Sequence, residues 1–279
     1  YTPEDNLPGK SLIDLSRVLE SDIQEDNHNV HRPIRTYWTE EDMWMKRQKS
    51  GLVVYHYPGT LDAFLFRNDP RKGRRSAEQY HQKFSNMTGA FEDDSAKFWV
   101  SDFAVKVGQS RAEELLSGAG VIAKESGAGR GYFSACLLIM DDNHYLPEWL
   151  AYHYTFLPLR RLIVAVDPNS RTSPQGVFDQ FRDLINITVW YKDEFDKGVS
   201  SYDEDPIDAH RYRQMLFTEE CTRTLKKEPS TTWVAYIDSD EYVVPNWQAK
   251  GNYLISNYER GMTALDIFRQ NPHLNKYFK

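Results

Sequence analysis

The second half of the chain alternates apolar runs with segments whose apolar residues recur every three or four positions. Apolar runs of five to nine residues, rich in β-branched and aromatic side chains, are typical of strands covered on both faces. The segments between them have the spacing of amphipathic helices. This order predicts an α/β fold, with a mostly parallel sheet flanked by helices and joined by right-handed crossovers. The predicted strands are 132–140, 161–166, 187–191 and 233–237, and the predicted helices are 145–156, 173–184 and 207–227.

Residues 1 to about 130 show no sustained periodicity of apolar and polar residues. Short apolar pieces alternate with charged stretches, 98–105 has the composition of a strand, and 110–118 has the cap and glycine stop of a short helix. Glycine-rich segments at 117–120 and 126–131 are typical of a linker. We therefore predict an N-terminal stem or accessory region over 1–130 that adds nothing to the sheet. The predicted second domain covers 131–279.

Aspartates follow three of the predicted strands: Asp141, Asp167 and Asp238. Ligands of open α/β sheets bind at the carboxyl ends of the strands, so these side chains are candidate site residues. Asp238 and Asp240 are separated by one residue, and two carboxylates at a strand end can hold one hard divalent cation such as Mg²⁺ or Mn²⁺. The alternative is that these aspartates are only soluble turn formers.

Composition narrows the class of protein. The 279 residues are 40% hydrophobic, enough for one sizeable core or two small ones. A formal charge of -7 argues against nucleic acid as a general partner, and the basic run 71–75 is interpreted as a solvated loop. No apolar run approaches the ~20 residues of a membrane-spanning helix. A membrane anchor outside this chain stays compatible with the sequence.

Two kinds of residue bear on the compartment. The triplets Asn86-Met87-Thr88 and Asn186-Ile187-Thr188 fit the acceptor pattern for N-glycosylation, which favours the lumen of the Golgi or another secretory compartment. A cytoplasmic location is the alternative. Cys136 and Cys221 both lie in apolar patterns, and we interpret them as buried thiols in preference to a disulfide.

Four segments together resemble a known family: 136–139 followed by the Tyr145-Leu146-Pro147-Glu148-Trp149 helix ending in Tyr152-His153, then the turn 166–170, then Asp238-Ser239-Asp240-Glu241-Tyr242. In order and spacing they are similar to glycosyltransferases of GT-A fold, close to family 92 and its family-2-like relatives. The resemblance covers 132–246 and implies a Rossmann-like GT-A sheet.

The chain departs from the family pattern in three ways. Met140-Asp141-Asp142 stands where the family has Lys-Asn-Glu, so a cationic contact to the nucleotide is missing. Tyr242 replaces a phenylalanine. The chain also ends soon after the acidic motif, whereas the family's acceptor groove and catalytic base come from the half that follows. We therefore expect a fragment whose catalytic base lies beyond residue 279.

The resemblance implies roles for Asp240, Asp238 and Asp167, and two further candidates, Asp141 and Arg213, come from their positions along the chain. Asp240 would bind Mn²⁺ or Mg²⁺, and Asp238 would contact the metal, the ribose or both. Asp167 would contact the nucleobase or ribose, although a plain turn-starting aspartate is the alternative. Asp141 is a further candidate for nucleotide-sugar binding. Arg213 would pair with phosphate oxygens, unless it only belongs to a solvated helix face.

The implied activity is transfer of a sugar from a nucleotide-sugar donor, most simply a UDP-sugar with inversion, to a glycan or other hydroxyl acceptor. Glu241 would orient the metal pair or brace the strand, and Trp149 and His153 are expected to be packing residues. Two alternatives stay open: a phosphatase of the haloacid-dehalogenase type, and a non-catalytic transferase-like binding domain. Aspartyl-phosphate formation would mark the phosphatase.

Overall fold

The structure is a computed structural model. It describes residues 10–23, 34, 51–56, 61–66, 76–84, 99–117, 133–195, 206–229, 233–246 and 261–270. The strands are β1 (Ser11–Asp14), β2 (Leu52–His56), β3 (Phe133–Ile139), β4 (Leu159–Val166), β5 (Asn186–Trp190), β6 (Trp233–Tyr236) and β7 (Glu241–Pro245). The helices are α1 (Glu20–Ile23), α2 (Leu61–Phe66), α3 (Ala77–Phe84), α4 (Trp99–Val107), α5 (Gln109–Ser117), α6 (Leu146–Thr155), α7 (Gln175–Phe181), α8 (Lys192–Phe195), α9 (Pro206–Lys227) and α10 (Ala264–Gln270), with a 3₁₀ turn at Leu15–Arg17.

Five strands form the central sheet in the order β1-β6-β3-β4-β5. The pairs β3–β4, β4–β5 and β3–β6 are parallel, and only β1 joins antiparallel, to β6. From β3 the chain moves outward through β4 and β5, then returns through α9 to place β6 on the other side of β3. The strand order therefore reverses between β3 and β6. The predicted α/β class, with a mostly parallel sheet flanked by helices, is confirmed.

The sheet separates two apolar cores because alternate residues of each strand point to opposite faces. On β4, Leu162 and Val164 belong to one core, while Ile163 and Ala165 belong to the other. Helices α4 to α7 and α10 contribute to the first core. Helices α8 and α9 contribute to the second core together with five N-terminal residues: Ile13, Leu15, Val18, Ile23 and Ile34. No helix among the described residues combines the length and hydropathy needed to cross a bilayer.

The N-terminal region takes part in the fold. Strand β1 is an edge strand of the central sheet, β2 pairs with β7, and α4 packs on α6 through the rings of Trp99 and Tyr152. The prediction that nothing before residue 130 enters the sheet is wrong. A four-residue strand that pairs with a partner far along the chain leaves no periodic signal. The domain division at residue 130 itself stays a prediction.

Two further expectations need correction. Residues 98–105 were expected to form a strand, but α4 covers most of them, with Phe103 facing the core and Val105 84% exposed. Cys136 on β3 and Cys221 on α9 form a disulfide, with Cα atoms 6.1 Å apart, so the expected free thiols are wrong although their burial is right. The two positions face each other across the second core. The predicted linker falls largely on 118–132, outside the described residues.

Candidate functional site

Three turns meet at the carboxyl edge of the sheet. Asp141 follows β3, Asp167 follows β4 and the acidic turn, defined as Asp238–Glu241, connects β6 to β7. The amide of Asp167 donates to the carbonyl of Ile139 at 2.9 Å, which joins the ends of β3 and β4. This edge includes the reversal of strand order between β3 and β6, where open α/β sheets form their ligand crevice.

The acidic turn is closed by two hydrogen bonds between its first and last residues. The amide of Glu241 donates to the carbonyl of Asp238 at 3.1 Å, and the amide of Asp238 donates to Oε2 of Glu241 at 2.8 Å. The indole N–H of Trp149 points at the carbonyls of both Asp238 and Glu241, each at 3.1 Å. Helix α6 thereby holds the main chain of the acidic turn through the Trp149 side chain.

Two more residues of α6, on the same face as Trp149, hold β7. The hydroxyl of Tyr152 donates to the carbonyl of Val243 at 2.8 Å. His153 accepts from the amide of Val243 at Nε2, at 3.4 Å, and its Nδ1–H donates to the carbonyl of Trp149. Complete burial lowers the pKa of His153 to about 3, so the ring is neutral. The expected packing role of Trp149 and His153 is confirmed and extends to positioning the acidic turn.

Residues far away in the sequence meet these carboxylates. The ammonium of Lys10 lies 2.6 Å from Oδ2 of Asp238 and 3.3 Å from Oε2 of Glu241. Burial opposes the charge of Lys10, but the two carboxylates outweigh it and raise its pKa. Nε2 of His56, at the end of β2, lies 3.0 Å from Oδ2 of Asp240. Sequence analysis missed both residues, since neither has a local pattern that marks it.

The acidic turn still carries more negative charge than its surroundings favour. Burial, and then the charge of Asp238, raise the pKa of Glu241 to about 7, while Lys10 opposes the rise. The Asp238 side chain is 36% exposed, but that of Asp240 is only 9% exposed. The Asp240 carboxylate is therefore largely buried, unlike that of Asp238. A divalent cation near these groups would relieve their repulsion.

Asp167 has the opposite environment. Its Oδ2 accepts from Nε and Nη2 of Arg213 at 3.3 and 3.2 Å and lies 3.3 Å from Nδ1 of His210, while Oδ1 accepts from the amide of Asn169. Burial disfavours the charged carboxylate, but the bonds from His210 and Asn169 and the charge of Arg213 together lower its pKa. Asp167 and Arg213 were predicted from the sequence as two independent site residues, and the structure places them in direct contact. His210 was missed.

Asp141 also has internal partners for both oxygens. Oδ1 accepts from the amides of Arg171 and Thr172 and from the Thr172 hydroxyl, and Oδ2 accepts from Nε of Arg171 at 2.8 Å. Burial opposes ionisation, and these bonds outweigh it and lower the pKa. Arg171 in turn lies over the ring of Phe66 in α2. Asp141 thus organises the loop after β4, and its contact with a nucleotide stays a prediction.

Two buried hydroxyls at this edge lack a hydrogen-bond partner among the described residues. One belongs to Ser170, in the turn that starts at Asp167, and the other to Ser239, inside the acidic turn. Buried polar atoms are nearly always paired in folded proteins, so each hydroxyl calls for an explanation.

The described side chains at this edge are too few to hold a metal ion by themselves. In the part of the chain that the structure describes, no three His, Cys, Asp or Glu side chains are arranged to hold one. Mg²⁺-type ions in phosphate-binding sites need only one or two protein carboxylates, because phosphate and water oxygens complete the shell. Asp238 and Asp240 would supply these two carboxylates if Lys10 and His56 yielded to the ion.

No family model matches the sequence, and neither a curated protein nor a solved structure is significantly similar to it.

Proposed function

We propose that the chain is the nucleotide-sugar-binding part of a metal-dependent glycosyltransferase of GT-A type. The observation that carries the proposal is the acidic turn, which sits beside the reversal of strand order and has an excess of negative charge. Such a position suits a cation that binds the diphosphate of a donor. The donor would be a UDP-sugar, and the acceptor a hydroxyl of a glycan or glycoconjugate.

The chain's own residues would divide the work. Asp238 and Asp240 would hold Mn²⁺ or Mg²⁺, whose charge stabilises the leaving diphosphate when it is bound. Arg213 uses its Nε–H and Nη2 for Asp167, and its remaining N–H groups would pair with phosphate oxygens. Asp167 would accept from the ribose or base. Trp149 would keep the acidic turn in place as the donor binds.

A second candidate has support of its own. Both aspartates of the acidic turn already have partners, Lys10 for Asp238 and His56 for Asp240. That arrangement also suits a transferase-like domain that no longer uses a metal and serves only in binding. The two candidates differ in whether Mn²⁺ binds and whether nucleotide binding depends on it.

Calorimetric titration of Mn²⁺, and of UDP with and without Mn²⁺, tests the proposal. The wild-type chain should bind UDP only with metal. Asp240→Ala should weaken metal-dependent UDP binding at least about tenfold, about 1.4 kcal/mol. Asp179→Ala is the matched control, because Asp179 is an exposed carboxylate on α7 that pairs with Arg182. It should bind like the wild type.

Thermal unfolding of each variant checks that lost binding is not lost folding. Release of UDP from a panel of UDP-sugars, with glycan acceptors present, then tests whether this chain also catalyses transfer. Metal-independent UDP binding, or equal binding by wild type and Asp240→Ala, would contradict the assignment of the metal site. Metal-dependent UDP binding without turnover would limit the role of this chain to donor binding.

A further inference from the structure

The acceptor triplet Asn186-Ile187-Thr188 lies outside the site described above. It begins β5, at the end of the strand order β1-β6-β3-β4-β5, and Asn186 is at the amino end of that strand. The acidic turn and Asp167 lie at the opposite, carboxyl edge. Whatever is attached at Asn186 therefore leaves the candidate site accessible.

The three side chains of the triplet alternate across β5. Ile187 is buried in the first core, whereas Asn186 is exposed and Thr188 is half-buried on the other face. The Thr188 hydroxyl accepts from Nη1 of Arg161 at 2.9 Å. The folded strand thus keeps its apolar residue inside and presents the asparagine amide to solvent. A bulky polar group at Asn186 would not disturb the core.

The disulfide supplies independent evidence on the compartment. Cys136 and Cys221, the only cysteines of the chain, are joined between β3 and α9 and are almost completely buried. Stable disulfides are typical of proteins that fold in oxidising compartments and are rare in the cytosol. The chain would then pass through the compartment in which asparagine is glycosylated.

We propose that Asn186 carries an N-linked glycan. The donor class is an oligosaccharide linked to a lipid diphosphate, and the acceptor is the unfolded segment, before Arg161 engages Thr188. The Asn186 amide nitrogen bonds to C1 of the first sugar as the bond from C1 to the diphosphate oxygen breaks. The amide proton passes to a base of the transferring enzyme, and the lipid diphosphate leaves.

The glycan covers β5, which has a neighbour on one side only among the described strands, and so shields a strand edge from pairing with other chains.

The test uses the full chain, preceded by a cleavable signal peptide, in a eukaryotic host that glycosylates secreted proteins. Enzymatic release of glycans in heavy-oxygen water converts glycosylated asparagine to labelled aspartate. We expect the label at position 186 in peptides from both the secreted and the cell-retained chain. An unlabelled Asn186 in both fractions would overturn the proposal, whether or not Asn86 is labelled.

Three variants sharpen the result through the electrophoretic shift on deglycosylation, each in an Asn86→Gln background so that one triplet remains. Thr188→Ser keeps a valid triplet and should keep the shift. Asn186→Gln and Thr188→Val should abolish it. A shift that persists in Asn186→Gln would place the glycan elsewhere and overturn the assignment.

Discussion

The carboxyl edge of the sheet holds two clusters of charged side chains, one around Asp167 and one in the acidic turn. Their carboxyl pKa values are shifted in opposite directions. Around Asp167, Arg213 and His210 bring compensating donors, and the pKa of the carboxyl is lowered. In the acidic turn three carboxylates share Lys10 and His56, and the pKa of Glu241 is raised to about 7. The charge of the first carboxylate is balanced within the protein, whereas the second group would gain from another cation. This difference, more than the presence of aspartates, marks the acidic turn as the candidate metal site.

The hydrogen bonds and exposure of the individual aspartates bear on their predicted roles. Asp167 and Asp141 are the most thoroughly bonded of the candidate carboxylates, so each has a structural role whether or not it touches a nucleotide. Asp238 is the most exposed of them. A ligand cation would therefore meet Asp238 first.

The largest expected effect is on stability, at Asp167. Its side chain is fully buried and that of Arg213 is 9% exposed, so Asp167→Ala leaves a buried guanidinium without its partner. We expect a loss of about 3–5 kcal/mol in the free energy of unfolding, measured by urea denaturation. The double variant Asp167→Leu with Arg213→Met should recover much of it. A loss below about 1 kcal/mol in the single variant would show that the pair is not compensated as described.

The next effect concerns the disulfide, which ties α9 to β3. Helix α9 carries Arg213 and His210, so the link supports the Asp167 group through this helix. Cys136→Ala with Cys221→Ala should lower the free energy of unfolding by about 2–4 kcal/mol. In this double variant, hydrogen exchange of the backbone amides should accelerate more in α9 than in α6, which holds the acidic turn. Equal acceleration in the two helices would remove the distinction.

A smaller effect should appear as opposite pH dependences. The folded pKa of Glu241, about 7, lies above its ordinary value of 4.5, so the folded chain keeps a proton that the unfolded chain has released. Stability should therefore fall as pH rises from about 4.5 to about 7, by on the order of 2 kcal/mol. Asp141 and Asp167, with lowered pKa values, should instead lose their contribution as pH falls below their ordinary value of 3.8.

Urea denaturation at pH values from below 3.8 up to about 7 measures both dependences. Glu241→Gln should remove the decline between pH 4.5 and 7, because a glutamine cannot lose the proton, and should leave the loss at lower pH unchanged. An unchanged decline in the glutamine variant would mean that another group titrates there.

Much of the fold could be predicted where the chain has a visible period. The helix predicted over 145–156 is α6, Leu146–Thr155, and the helix predicted from 207 to 227 is α9, Pro206–Lys227. Placement of aspartates at strand ends followed from the same alternation. These elements are long enough to repeat a pattern, so their sequence identifies them without knowledge of their neighbours.

The partners of the carboxylates could not be predicted in the same way. Lys10 is 228 residues from Asp238, and His56 is 184 residues from Asp240. Each contact depends on a short strand, β1 or β2, that pairs antiparallel with a distant part of the chain. The disulfide depends likewise on a strand position and a helix position facing each other across a core. Such contacts follow from topology and have no local signature.

The smallest expected effect, at Lys10, bears most directly on the two candidate functions. The ammonium lies against Asp238 and Glu241, so Lys10→Met removes a positive charge that a metal ion would have to displace. If the acidic turn is a metal site, the variant should bind Mn²⁺ about tenfold more tightly in calorimetric titration, about 1.4 kcal/mol. Lys227→Met, at an exposed position near the end of α9, should match the wild type. If neither the wild type nor Lys10→Met binds Mn²⁺, the turn is a metal-free structure held by Lys10 and His56, and the binding-domain candidate replaces the transferase.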